Sequence, residues 1–119
     1  MKGLSVGCVL LITFAVVAEE PKIQANQSRD YLGQTVVACG KIAQVSKGRK
    51  AHYLNFDESY PNETLAVLIW DDNFPKFEQL YGDLSQLTSK NVCARGKIVE
   101  YKQSLQIQMS NPQYLEVKS

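Results

Sequence analysis

The chain has 119 residues, of which 45% are hydrophobic, and this length suits one compact domain. Its 13 basic residues outnumber its 12 acidic residues by one, so no global electrostatic field would draw the protein onto nucleic acid or a membrane. The charges are segregated, however, because Lys41, Lys47, Arg49 and Lys50 cluster within residues 41–50, whereas residues 57–83 are mainly acidic.

The N-terminal residues 1–18 are predicted to be a secretory signal peptide. Lys2 precedes an uncharged apolar run over residues 4–17, and Ala18 offers a small residue for cleavage. A transmembrane anchor is the alternative, but the run is shorter than the about 20 apolar residues that span a bilayer. Cleavage would remove Lys2 and Cys8, leave the remaining charges in balance, and place the protein in the periplasm or outside the cell.

A polar leader over residues 19–30 is expected to precede one domain over residues 31–119. Apolar residues alternate from residue 36 to residue 42, which is the period of a β-strand. Turn residues at 46–50 and 58–63 separate two further strands, over residues 52–57 and 64–70. Phe74, Phe77, Leu80 and Tyr81 then recur at helical spacing, so residues 74–81 are predicted to form a short helix that ends at Gly82.

Two more strands are predicted over residues 91–101 and 105–109, joined by a turn at residues 102–104. Three strands, one helix and two strands match the all-β, five-stranded Greek-key barrel called the OB-fold, in which the helix connects strands three and four. The fold accounts for the near repeat of VVACGKI (36–42) and VCARGKI (92–98). We expect Gly40 and Gly96 at strand bends on the neighbouring first and fourth strands.

The segments GQTVVACGKIAQV, HYLNF, PNETLAVLIW and NVCARGKIVEYKQSLQIQM also resemble a known family. They are similar to the OB-fold nucleic-acid-binding group that includes the anticodon-binding domains of some tRNA synthetases and the DNA-binding domains of some helicases. The similarity is strongest to the small secreted bacterial members and covers about residues 31–117. It implies the barrel and, less specifically, a nucleic-acid ligand. Members that bind nucleic acid are often basic, whereas this chain without residues 1–18 is neutral.

Cys39 and Cys93 remain after signal cleavage, an even number for an oxidising compartment. Both alternate with the core-facing positions, so we expect them on the outer face of two neighbouring antiparallel strands, close enough for a disulfide. Two free thiols are the alternative. A bridge closing such a loop would stabilise the fold by about 4 kcal/mol on the chain-entropy model.

OB-folds bind ligands on the outer face of strands two and three and in the loops between strands one and two and between four and five. Those loops span residues 47–50 and 101–104, and both are basic. If Leu54, Phe56, Val67 and Ile69 face inward, alternate side chains, including Leu68, face the cleft. The candidate ligand-binding residues are Lys47, Arg49, Lys50, Tyr53, Asn55, Trp70, Tyr101 and Lys102.

Aromatic rings beside lysines suit a single-stranded nucleic acid, whose bases stack and whose phosphates carry charge. The alternative is that Tyr53 and Trp70 merely cover the barrel. Catalysis has few candidates: His52 is the one histidine and is expected on the surface, and the acidic pairs at 57–58 and 71–72 suit turns better than metal ligation. No enzymatic activity, metal or cofactor is expected.

The leading hypothesis is a secreted or periplasmic, non-enzymatic protein whose cleft binds single-stranded nucleic acid, or an oligosaccharide as the next choice. The rival hypothesis is a protein-interaction module of the cell envelope. A third hypothesis, an accessory subunit of a secreted nuclease, combines the two. No membrane-spanning segment is expected.

Overall fold

Alternating apolar and polar residues form the longest strands of the computed structural model, which describes residues 19–118. The predicted signal peptide, residues 1–18, lies outside the described residues. Three 3₁₀ helices, at Ala25–Tyr31, Leu84–Leu87 and Pro112–Tyr114, connect the other elements. The strands and the α-helix are β1 (Lys22–Gln24), β2 (Thr35–Lys47), β3 (Ala51–Phe56), β4 (Ala66–Trp70), α1 (Phe74–Tyr81), β5 (Asn91–Tyr101), β6 (Ser104–Gln108) and β7 (Leu115–Val117).

The strands form one seven-stranded sheet in the order β1-β2-β3-β4-β6-β5-β7, with an additional pairing between β2 and β5. The β4–β6 and β1–β2 pairs are parallel, and the remaining pairs are antiparallel. Because β2 pairs with both β3 and β5, the hydrogen-bonded pairings from β2 to β6 form a closed circuit. β1 and β7 lie outside this circuit.

The predicted count of five strands is wrong, because the structure has seven. The five predicted strands correspond to β2 through β6, and the predicted helix is confirmed as α1, between β4 and β5. The two additional strands have three residues each, and β1 buries only Ile23. A strand this short shows no alternation that a sequence pattern could reveal. β1 arises within residues 19–30, which were expected to be a polar leader.

The interior is filled from both the strands and α1. Leu54, Phe56, Val67 and Ile69, which were predicted to face inward, are fully buried. Phe77 of α1 is also fully buried. Gly82, with φ of 76°, ends α1 and donates its N–H to Glu78 O at 2.8 Å. No helix within residues 19–118 is long and apolar enough to cross a membrane.

Gly40 and Gly96 lie on the neighbouring strands β2 and β5, as the repeat predicted. Neither has a positive φ. Both permit close approach to the backbone instead: a methyl group at Gly96 would overlap Ile107 Cγ2, and one at Gly40 would lie 3.0 Å from Phe56 Cδ1. The near repeat therefore reflects interior side chains that pack directly against the two strands.

Cys39 and Cys93 face each other across β2 and β5 and form a disulfide with Cα atoms 4.0 Å apart. Ile42, three positions beyond Cys39 along β2, donates its N–H to Lys90 O. Hydrogen-bonded and non-hydrogen-bonded pairs alternate along an antiparallel ladder, so Cys39 and Cys93 form a non-hydrogen-bonded pair, in which Cα atoms come closest. The predicted pairing is thus present. A disulfide is compatible with an extracellular or periplasmic location.

The residues before β1 are fastened to β5 by Arg95. Its guanidinium donates to both carboxylate oxygens of Glu20, at 3.1 and 2.8 Å, and lies 4.8 Å from the centre of the Tyr114 ring. The hydrogen bond from Arg95 lowers the pKa of Glu20. Arg95 is therefore held in an ion pair with Glu20 and is not part of a free basic surface.

Candidate ligand-binding groove

A groove of about 570 Å³ opens on the side of β2, β3 and β6, next to the β2–β3 and β5–β6 turns. Its walls carry three tyrosines and two lysines, and its floor carries amides, hydroxyls and one carboxylate. The lining residues are Gln44, Ser46, Lys47, Gly48, Tyr53, Asn55, Tyr60, Glu63, Ala66, Tyr101, Lys102, Ser104 and Gln106.

Tyr53 is placed by the β2–β3 turn. The turn closes with a hydrogen bond from Gly48 N to Ala51 O at 2.8 Å. A Cβ atom at Gly48 would lie 3.0 Å from Tyr53 Cε2, so the glycine gives the tyrosine ring room to lie over the turn. Tyr53 is thereby held where β3 meets the groove.

Tyr101 and Lys102 project from the β5–β6 turn. Its two central residues, Lys102 and Gln103, have φ values of 49° and 69°, the signs that a type I′ hairpin requires. Tyr101 is 57% exposed, and Lys102 Nζ lies 5.4 Å from the centre of its ring. The tight hairpin therefore presents an aromatic ring and an ammonium group side by side.

A second, shallower cavity of about 340 Å³ adjoins the groove at Tyr53, which lines both. Its other lining residues are Arg49, Lys50, Ala51 and Trp70. Trp70 is 44% exposed and lies opposite Ala51 in the β3–β4 register. This cavity combines one indole with two side-chain cations.

The eight predicted ligand-binding residues fall into these two neighbouring cavities. Five line the groove and four line the second cavity, because Tyr53 belongs to both. Leu68, which was expected on the same outer face, is only 4% exposed and lies directly opposite Tyr53. The groove residues are Lys47, Tyr53, Asn55, Tyr101 and Lys102, and those of the second cavity alone are Arg49, Lys50 and Trp70.

Asn55 belongs to a partly buried hydrogen-bond network. Its amide nitrogen donates to Gln44 Oε1 at 2.8 Å and to Ser46 Oγ at 3.3 Å. Gln44 Oε1 also accepts from Tyr60 N at 2.9 Å. Asn55 is 2% exposed, so it forms part of the floor, and Gln44 ties the β3–β4 connection to β2.

Sequence reasoning missed several groove residues, among them Tyr60, Glu63 and Gln106. Gln106 alternates with the buried Leu105 and Ile107 in β6, so extending the outward-facing pattern to the fifth predicted strand would have found it. Tyr60 and Glu63 lie in the β3–β4 connection, which was interpreted only as a turn. The Ser104 hydroxyl donates to Glu63 Oε2 at 2.8 Å and joins this connection to β6.

The charge available at the groove is smaller than the basic clusters suggest. Lys47 Nζ lies 3.5 Å from Asp71 Oδ2. Residues 90–102 hold four further basic residues, and only one of them, Lys102, lines the groove; the others are Lys90, Arg95 and Lys97. The groove therefore combines two lysines with the carboxylate of Glu63.

No three His, Cys, Asp or Glu side chains within residues 19–118 are grouped so that they could hold a metal ion. The one histidine, His52, was expected on the surface, but its side chain is 17% exposed and stacks on Phe74. It does not line the groove.

The fold is similar to that of several solved structures, all with low sequence identity. A protein described as an aspartyl-tRNA synthetase from Leishmania major Friedlin has a TM-score of 0.56 at 7% identity, and the match covers 92% of this chain and 23% of that one. A chain of the S. pombe Stn1–Ten1 complex has a TM-score of 0.51 at 18% identity, with 71% of this chain and 57% of that chain covered.

An OBody, AM1L10, bound to hen egg-white lysozyme has a TM-score of 0.54 at 15% identity, with 87% of this chain and 98% of that chain covered. Together these structures indicate an OB-fold. This chain spans less than two thirds of the synthetase and of the Stn1–Ten1 chain. Neither a protein-family model nor a curated protein sequence matches it significantly.

Proposed function

We propose that this chain is a secreted or periplasmic, non-enzymatic protein that binds single-stranded nucleic acid across the two adjoining cavities. The observation that carries the proposal is the position of Tyr53, which lines both the groove and the second cavity. Aromatic rings and side-chain cations therefore follow one another from Tyr101 and Lys102, past Tyr53, to Trp70 and Lys50. Such an arrangement suits an extended chain of stacked bases and phosphates.

The disulfide and the predicted signal peptide support the proposed location, because disulfides persist in oxidising compartments. The similarity to a protein described as a tRNA synthetase is consistent with a nucleic-acid ligand. At 7% identity it adds support through the fold alone.

Affinity should be modest and depend on salt. Four cations, Lys47, Arg49, Lys50 and Lys102, line the two cavities, and Lys47 is already paired with Asp71. Few phosphates can be neutralised, so the logarithm of the affinity should fall by about 0.7 per phosphate contact for each tenfold rise in salt. Stacking would contribute about 1–3 kcal/mol per base.

Trp70 provides a direct test, since it is the one tryptophan of the chain and lines the second cavity. Titration with single-stranded oligonucleotides at low salt should change its fluorescence, and the same titration should raise the anisotropy of a labelled strand. Double-stranded DNA of the same sequence should bind more weakly. If neither signal changes at low salt, where surface electrostatics are strongest, the nucleic-acid function is wrong.

A protein partner in the cell envelope is the second candidate, favoured by the Glu63 carboxylate in the groove, which would repel phosphate. A structural neighbour, OBody AM1L10, is bound to a protein, hen egg-white lysozyme. Capture from a periplasmic extract with the oxidised protein, with and without competing oligonucleotide, separates the two candidates. A partner that is a secreted nuclease would be retained together with its activity.

A further inference from the structure

The floor of the groove carries two polar groups with unused hydrogen-bonding capacity. Gln106 is 6% exposed and lines the groove, and its side-chain amide makes no hydrogen bond within residues 19–118. The Glu63 carboxylate accepts from the Ser104 hydroxyl through Oε2, while its Oε1 is buried and has no hydrogen-bond partner among the described residues. An unpaired buried acceptor is costly, so turning the Glu63 side chain to bring Oε1 into the groove, toward a ligand that donates a hydrogen bond, would relieve that cost.

The chemistry of the two side chains favours a particular kind of ligand group. An ionised carboxylate can only accept hydrogen bonds, whereas an amide both donates and accepts. Cytosine and adenine carry an exocyclic amine that donates, and uracil and thymine carry O4, an acceptor, at the corresponding place. An amine is therefore attracted to the Glu63 carboxylate, and O4 is repelled by it.

The walls cannot make this distinction. Tyr53, Tyr60 and Tyr101 present rings, and stacking on a ring tolerates every base because each base has a π-face. Lys47 and Lys102 offer charge to phosphates, which are the same in every nucleotide. Glu63 is the one carboxylate among the residues that line the groove, so a preference for donating amines must come from the polar floor.

We propose that the groove selects cytosine and adenine, whose exocyclic amine stands where uracil and thymine carry O4, over uracil and thymine, and that Glu63 is the residue that determines this specificity. The inference rests on the proposed binding of single-stranded nucleic acid. A base stacked on the tyrosine walls directs its amine toward Glu63, and Gln106 supplies a complementary donor and acceptor to the rest of the base edge.

The test compares oligo(dC) with oligo(dU) of equal length, because these bases differ in their hydrogen-bonding edge and not in ring size or backbone. Affinities are measured by anisotropy for the native protein, for Glu63→Gln and for Glu58→Gln. Glu58 lies in the same β3–β4 connection, is exposed and does not line the groove, so its variant makes the same charge change away from the site. Thermal unfolding of each variant verifies that it folds.

The native protein and Glu58→Gln should bind oligo(dC) at least about fivefold more tightly than oligo(dU), the lower end of what one specific base contact contributes. The amide in Glu63→Gln keeps an acceptor and adds an N–H that can donate a hydrogen bond to O4. Oligo(dU) should therefore bind more tightly to this variant, and the ratio of the oligo(dC) affinity to the oligo(dU) affinity should fall toward one. Equal binding of both oligonucleotides by the native protein overturns the inference and leaves the proposed function standing. A preference that Glu63→Gln does not alter overturns the role of Glu63, and no binding of either overturns both proposals.

Discussion

The imidazole of His52 lies flat against the ring of Phe74, with ring centroids 3.4 Å apart and ring planes 5° apart. Its Nε2 lies 3.3 Å from Asp71 Oδ1, although this oxygen forms no hydrogen bond of good geometry within residues 19–118. Burial lowers the pKa of His52, and Lys47 lowers it further, while Asp71 and Glu78 act in the opposite direction. Burial dominates, so the folded chain favours the neutral imidazole.

Folding stability should therefore decrease as the pH falls through the ordinary histidine pKa of 6.5. Between the lowered pKa and 6.5 the unfolded chain binds more protons than the folded chain, so the free energy of unfolding rises with pH across that window. The full stabilising contribution of the neutral His52 is present above the window. Urea unfolding at about pH 7.5 and about pH 5.5 measures the difference. His52→Gln removes the titrating group, and an unchanged difference in that variant would show that other groups are responsible.

The purified oxidised protein should contain no titratable thiol at Cys39 or Cys93. The disulfide closes a loop with a sequence separation of 54 residues. Reduction should lower the free energy of unfolding by about 4 kcal/mol on the chain-entropy model. Urea unfolding with and without reductant measures this change. The double variant Cys39→Ala/Cys93→Ala should not respond to reductant, and reactive thiols in the unfolded, unreduced protein would contradict the prediction.

Gly96→Ala should lower the free energy of unfolding by about 1–3 kcal/mol, because the new methyl group would overlap Ile107 in a filled interior. Gly33→Ala is not a suitable control, since Gly33 has a positive φ. Thr35→Ala is better, because Thr35 is exposed on β2 and its loss leaves the interior unchanged. Equal stability of Gly96→Ala and the native protein would mean that Ile107 can move aside freely.

Gln103→Gly should stabilise the protein by about 0.5–1 kcal/mol, because Gln103 adopts a positive φ that glycine tolerates without steric cost. Gln108→Gly, in exposed extended strand, should destabilise it instead. Chemical unfolding of the two variants compares the same substitution in the two backbone conformations. A loss of stability in Gln103→Gly would indicate that the greater conformational freedom of glycine in the unfolded chain outweighs the steric cost removed at the positive φ.

Binding of a labelled single strand should weaken in both Lys50→Ala and Tyr53→Ala, for different reasons. Lys50→Ala removes a phosphate contact, so the salt dependence should become shallower by about 0.7. Tyr53→Ala removes the ring shared by the two cavities and should cost about 1–3 kcal/mol per stacked base with little change in salt dependence. Lys76→Ala, in α1 and away from both cavities, should bind like the native protein.

Periodic patterns predicted the elements whose residues alternate or recur over several turns. The α1 and β5 bounds follow from spacing alone, and the pairing of Cys39 with Cys93 follows from alternation together with the strand adjacency that the OB-fold implies. The three-residue strands β1 and β7 could not be predicted this way. They form because the long strands β2 and β5 leave outer edges to which a passing segment can pair.

The candidate site was predictable where it lies on regular strands and hairpins. Tyr53 and Asn55 were found by alternation, and Lys102 by the turn. Glu63 and Tyr60 were missed because their positions depend on how the β3–β4 connection folds back, through contacts with Ser104 and Gln44 that are distant in sequence. Local patterns carry no information about such contacts.

The disulfide joins an interior pair of the β2–β5 ladder, which has consequences for the order of folding events. In a reduced chain this ladder can form only after the segment containing β3, β4 and α1 has looped around, and such distant pairings are slow to form. In an oxidised chain the Cys39–Cys93 pair is already in register, and pairing can spread outward toward Thr35 and Lys97 at one end and Lys41 and Asn91 at the other. The moment of thiol oxidation, rather than a chance encounter of the two strands, would then determine when the circuit closes.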